Sequence, residues 1–200
     1  MREHSMSDPN IAQLLTNLCA CSEAKEWTAE HDTNIYNLWR KCPRGDWLLW
    51  LAVKIGIDRR LVVVAACDCA EQAMTHVKDG EGRPQKAIDT ARAWARGKAT
   101  IEDVRNARRN AAAAAAYAAA AAYAAAAADA AAYAADAAAY DAYAAYADDA
   151  AADAAAYAAY AADAAAQCTA RAKSLATSAT LVRTAIPWAI WETALEANHV

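Results

Sequence analysis

The chain has 200 residues, 58 % of them hydrophobic, a net charge of −4, and only five glycines and four prolines. So few breakers among helix-forming residues exclude a β-sandwich, a β-barrel and a glycine-rich nucleotide fold, which leaves the all-α class. The charge is unevenly placed: residues 111–166 consist of 41 Ala, eight Tyr and seven Asp, so this tract carries −7 and the rest of the chain +3, which excludes a uniformly basic nucleic-acid binder.

Ser7, Asp8 and Pro9 supply a cap and a first-turn proline ahead of Ile11, Leu14, Leu15 and Leu18, whose spacing marks one face of a helix predicted to run to about Trp27. Asp32 or Thr33 is placed to cap a short helix carrying Ile35, Tyr36, Leu38 and Trp39, which Pro43 and Gly45 close. Asp46 opens the run from Trp47 to Val53, ended by Gly56. Asp58 caps a helix from Leu61 to Val77 that is apolar on nearly every side and therefore central. Pro84 starts the next helix, in which Ala87, Ile88, Ala91, Trp94 and Ala95 recur at three- and four-residue steps before Gly97.

Thr100 and Asp103 have the spacing of a capping box, with Asp in place of the usual Glu or Gln. From Ile101 to about Lys173 no Gly or Pro intervenes. A straight helix of that length would reach roughly 105 Å, against a radius of gyration of about 16 to 17 Å for a compact chain of this size. Long Ala-rich helices folded back on each other are therefore expected, with turns at 128–130 and 148–149, where Asp is a weak helix former and a good cap. The last segment, Leu175 to Ala197, is amphipathic, broken at Pro187, and anchored by Trp188, Trp191 and Leu195. The expected architecture is a single all-α domain over 1–200, a compact bundle of about seven to nine helices. Trp47, Trp50, Val63, Cys69, Ala70, Ile88, Trp94 and Trp188 are its predicted core.

Motifs for chemistry are missing. There is no Gly-x-Gly-x-x-Gly, phosphate loop, His-Glu-x-x-His or Gly-x-Ser-x-Gly, and the reading is non-enzymatic with no cofactor. Cys19-x-Cys21 and Cys67-x-Cys69 leave one residue between thiols, against the two to four of zinc knuckles, so no metal is expected. Cys69 and His76, seven apart, share a helix face and are the nearest approach to a nucleophile pair, although a buried thiol accounts for Cys69 more simply. Asp149 and Asp153, one turn apart, read as a solubilising face, and Arg105, Arg108 and Arg109 as a solvated turn. Six cysteines without a secretory leader pattern point to reduced thiols in a cytoplasm. The uncharged stretch 111–128 has the length of a membrane span, but Ala is nearly indifferent to lipid and Asp recurs beyond it, so no membrane insertion is expected.

One family resemblance stands beside this reading. Gly45-Asp46-Trp47-Leu48-Leu49-Trp50, Asp58-Arg59-Arg60 leading into an apolar helix with Cys69-Ala70, then Pro84, Ala87-Ile88, Trp94-Ala95-Arg96-Gly97, the Ala/Tyr/Asp run, and finally Leu181-Val182-Arg183 with Ile186-Pro187-Trp188 resemble the alanine-rich immunity proteins of bacteria and phages. It covers residues 45–195 and leaves 1–44 outside. It implies a protein-binding inhibitor that neutralises a bacterial toxin or nuclease by occlusion, and it supplies no catalytic motif. A phage anti-defence protein, such as an inhibitor of a CRISPR effector whose acidic helices imitate nucleic acid, is the alternative; an enzyme with a Cys/His or Asp site is a distant third. Either inhibitor reading puts a protein partner, and no direct nucleic-acid binding, on the acidic tract. There Asp141, Asp148, Asp149 and Asp153 stand near Tyr143, Tyr146 and Tyr157, offering charge for steering and amphipathic rings for contact.

Overall fold

The computed structural model describes residues 11–32, 34–77, 79–117 and 172–197. Among them every regular element is helical: α1 Ile11–Asn17, α2 Ser22–His31, α3 Ile35–Lys41, α4 Gly45–Lys54, α5 Arg59–Glu71, α6 Arg83–Ala95, α7 Ile101–Tyr117, α8 at 172–185 and α9 Trp188–Ala197. A short 3-10 turn, Gln72–His76, extends α5. None of these helices is long and apolar enough to cross a membrane. The expected turns at 128–130 and 148–149, and the cap formed by Ser7, Asp8 and Pro9, lie outside the described residues.

Local chemistry sets most of the helix ends. The Asp58 carboxylate accepts from Arg60 N at 2.9 Å, as an N-cap should. Thr100 and Asp103 form the expected capping box reciprocally: Thr100 N donates to Asp103 Oδ2 at 2.9 Å and Asp103 N to Thr100 Oγ1 at 3.1 Å. Pro187 breaks the last segment between α8 and α9, and the Trp191 indole N–H donates to the Ile186 carbonyl beside the break at 3.0 Å. Asn34, rather than Asp32 or Thr33, caps α3, accepting from Asn37 N at 3.1 Å. Asp32 instead receives the Asn34 N–H at 3.1 Å and an ion pair from Lys41.

The predicted first helix is two. After Asn17 the chain closes with Cys19 N on Thr16 O at 3.1 Å and Ala20 N on Leu15 O at 2.8 Å, and Cys19 has φ of 60°. That bond pair is a Schellman cap. The same pair recurs after α4, around Gly56, and after α6, around Gly97, and both glycines have positive φ. Cys19 fills a position where a side chain strains the backbone, so the stop was hidden in the sequence.

The core runs through the whole set. α6 packs on both α5 and α7, α4 packs on α5, and α1 packs on α2. Val63, Cys69, Ala70 and Ile88 are fully buried, as expected. Trp47, Trp50, Trp94 and Trp188 pack against the same core and are mostly buried, also as expected. They lie against the core from its edge, while Trp191 is the tryptophan at the centre with 1 % exposure. The reason is that small residues fill the middle: Ala65, Ala66, Ala87 and Ala91 let α5 and α6 approach too closely to leave space for indoles.

Gly45 carries the tightest contact. Its expected role was to close α3, yet it starts α4 and is buried with its α-carbon turned to α8. A β-carbon there would stand 2.4 Å from Ser178 Cβ, 2.6 Å from Ser178 C and 2.7 Å from Ala179 N. Two of those atoms are backbone and cannot swing away. The inward face of α8 is correspondingly small, with Ser174, Ser178 and Ala179 buried beside Leu175 and Val182.

Two stability measurements check this description. Gly45→Ala is expected to cost about 3 kcal/mol, lowering Tm by roughly 6 to 12 °C in thermal unfolding; an unchanged Tm contradicts the close approach. Cys19→Gly removes left-handed strain at an exposed residue and is expected to stabilise by about 1 kcal/mol. A loss of stability there would mean that the Cys19 cap is misassigned.

Candidate functional site

The acidic-tract residues Asp141, Tyr143, Tyr146, Asp148, Asp149, Asp153 and Tyr157 all lie outside the described residues. The remaining candidates are placed clearly. Arg105 and Arg109 are exposed on α7 and share Glu102, at 4.0 and 3.4 Å, which is the behaviour of a solvated turn. Cys69 is fully buried and its thiol donates to Ser178 O at 3.8 Å. Burial pushes that thiol up to about 12, opposed by the Ser178 side chain, so at neutral pH it carries its proton. Cys67 is held in the same way, its thiol on Ile88 O at 3.7 Å and its pKa also pushed up to about 12 by burial, against the pull of Arg92. Neither is an activated nucleophile. Among the described residues no three His, Cys, Asp or Glu side chains gather as a metal site would require.

Charge concentrates instead at Arg92 of α6. Its guanidinium grips Glu71 through two hydrogen bonds, one of them 2.8 Å, and also Asp68, both on α5. The side-chain bonds from Arg92 hold the Glu71 carboxyl below its usual range. No sequence pattern announced this clamp, because its partners are 21 and 24 positions away. It ties two core helices, α5 and α6.

The feature that stands at the surface is aromatic. On α3, Tyr36 stacks on Trp39 with ring centroids 6.0 Å apart, and Trp188 at the start of α9 meets Tyr36 at 5.0 Å, edge to face, and Trp39 at 5.5 Å. Tyr36 is 41 % exposed, the largest apolar side chain in the open among the described residues, and Arg40 is exposed one turn further along α3. Arg183 of α8 locks the arrangement: its Nη1 donates to the carbonyls of Trp39 at 3.2 Å and Cys42 at 2.9 Å, closing the C-terminal end of α3. Burial lowers the Arg183 pKa, yet a guanidinium remains charged at any physiological pH.

A second aromatic group adjoins it. Trp27 stacks on His31 at 4.4 Å and tilts against Trp47 at 6.2 Å, and the Arg44 guanidinium lies 4.5 Å over the Trp47 ring. Arg44 also holds the buried Asp46 through both carboxylate oxygens, at 2.9 and 2.6 Å, which keeps an acid in the first turn of α4 without exposing it to solvent. Sequence reasoning marked Trp47 and Trp188 as core, and missed the surface patch because its two halves lie about 150 residues apart.

No protein-family model, curated protein or solved structure matches the chain.

The thiol environments give a pH-dependent prediction. Unfolded thiols ionise near pH 9, while folded Cys67 and Cys69 hold their protons to about 12. Above pH 9 the unfolded chain therefore binds fewer protons than the folded one, and stability falls as pH rises from 9 towards 12. Residue-resolved alkylation at pH 8 is expected to modify Cys19 and Cys21 about a thousandfold faster than Cys67 and Cys69. Comparable rates would contradict the burial of the pair.

Proposed function

We propose that the chain is a non-enzymatic, immunity-type inhibitor that binds a bacterial toxin or nuclease in the cytoplasm and neutralises it by occlusion. The observation that carries this reading is the patch of Tyr36, Trp39 and Trp188 with Arg40 beside it. Tyr, Trp and Arg are the residues in which binding energy concentrates at protein interfaces. Tyr36 and Trp39 belong to the N-terminal helices, outside the region that resembles the immunity proteins, while Trp188 and Arg183 belong to it. A shared scaffold with a chain-specific rim is the division of labour an inhibitor with its own target needs. Against the enzyme alternative stands the protonated, enclosed thiol of Cys69.

A second reading rests on a different observation. The tract at 111–166 holds seven Asp and no Lys or Arg, which suits a phage anti-defence protein that imitates nucleic-acid phosphates with Asp141, Asp148, Asp149 and Asp153. The two readings separate in one binding experiment with the toxin, nuclease or effector encoded beside this gene. Inhibition by the aromatic patch predicts that Tyr36→Ala with Arg40→Glu weakens binding at least tenfold, about 1.4 kcal/mol, with folding retained. Nucleic-acid imitation predicts instead that Asp148, Asp149 and Asp153 changed together to Asn slow association and flatten its salt dependence, since exposed charges act mainly on the on-rate. Unchanged binding by the Tyr36/Arg40 variant overturns the first reading.

A further inference from the structure

Cysteine occupies two positions in the turn between α1 and α2 where the backbone favours another residue. Cys19 has φ of 60° at the stop of α1, a place that Gly56 and Gly97 fill in the two equivalent stops. Cys21 is the N-cap of α2, where Ser, Thr, Asp or Asn would accept a first-turn N–H, and its side chain caps nothing. Both thiols are exposed, and neither makes a hydrogen bond among the described residues. Packing does not account for them either, because the residue that this turn buries is Ala20, between them. The other described thiols differ in kind: Cys42, Cys67 and Cys69 are enclosed, and burial pushes them up to about 11 for Cys42 and about 12 for the other two.

These two misfits stand two residues apart, and each puts a sulfur in solvent. A strained residue kept at an open position points to use of its side chain, and an accessible thiol with a second one in reach to resolve it is the arrangement of a redox-sensing pair. One intervening residue holds the two α-carbons within about 7.6 Å, and those of a disulfide usually stand roughly 4.4 to 6.8 Å apart, so bridging asks only for a bent backbone at Ala20. The amides of Cys19 and Ala20 are bonded to the carbonyls of Thr16 and Leu15, which resist that bend. A bridge that is exposed and works against its backbone is a readily reduced one. We propose that Cys19 and Cys21 form a reversible dithiol–disulfide site that exchanges with a small-molecule disulfide such as oxidised glutathione. The thiolate of one cysteine attacks a sulfur of the small disulfide, forming a mixed disulfide and releasing the first small thiolate. The thiolate of the other then attacks the protein-bound sulfur of that mixed disulfide, forming the Cys19–Cys21 bond and releasing the second. The pair gives up two protons and two electrons, and the small disulfide leaves as two thiols. Attack by a small thiol on the bridge runs the same steps backwards. This site stands apart from the aromatic patch and does not depend on the inhibitor reading.

The full chain, equilibrated with oxidised glutathione, alkylated and digested with trypsin, tests it. Residues 3–25 hold both cysteines with no Lys or Arg before Lys25, so one peptide reports on the pair. That peptide is expected to become lighter by two hydrogens and to lose both alkyl labels together, and to regain them after excess reduced glutathione. Cys19→Ser and Cys21→Ser should each stop at the mixed disulfide, which accumulates roughly tenfold more than in the parent, where the resolving step is intramolecular. Cys19→Gly, which suits the left-handed position, replaces Cys19→Ser if the latter does not fold. A parent chain that stays reduced, stops at mixed disulfides as the single variants do, or joins either cysteine to a different peptide overturns the proposal.

Discussion

The contact on which the fold depends is that of Gly45 with Ser178 and Ala179, where the first turn of α4 meets α8 backbone to backbone. Two helices cannot approach so closely unless the crossing point has no β-carbon on one side and a small residue on the other. Several interactions follow from that proximity. Ser178 takes the Gln72 amide on its hydroxyl at 2.7 Å and the Cys69 thiol on its carbonyl, so α8 is stitched to α5 as well as to α4. One turn later Arg183 reaches the end of α3. Because α8 is fixed at these points, the break at Pro187 sets Trp188 against Trp39 and lets Trp191 enter the core.

Legibility in the sequence divides along the same line. The Asp58 cap, the Thr100–Asp103 capping box, the glycine stops at 56 and 97 and the break at Pro187 are local: residues within a few positions satisfy one another's backbone groups, and the pattern can be read without the fold. Gly45 has the same appearance as a stop and acts as a crossing point, because the atom that excludes its β-carbon lies in α8, more than 130 positions away. Tryptophans at helical spacing read as core, and Trp47, Trp50, Trp94 and Trp188 do pack against it, while Trp191 alone among the described tryptophans is enclosed at its centre. The Arg92 clamp and the Tyr36–Trp39–Trp188 patch are invisible for the same reason: each is assembled from segments that only the tertiary fold brings together.

The two sides of the molecule differ in how their polar groups are used. At the α5–α6 interface Arg92 is answered by Asp68 and Glu71, and the buried thiols of Cys67 and Cys69 rest on backbone carbonyls. Such a region holds shape and offers little chemistry. Around α3 and α9 the groups are less spoken for: Tyr36 and Arg40 face solvent, and the Trp39 N–H is unmet.

If α8 is the strut that sets this arrangement, it must be as stable as the core it braces. Native-state hydrogen exchange resolved by residue tests that directly, because it measures the free energy of opening of each helix separately. The account predicts that amides of 175–186 exchange only through global unfolding, at the same free energy as those of 62–70 in α5. Exchange of the 175–186 amides through a cheaper, local opening that leaves α4, α5 and α6 protected would show that the Gly45–Ser178 contact is a passenger of the fold and not its constraint.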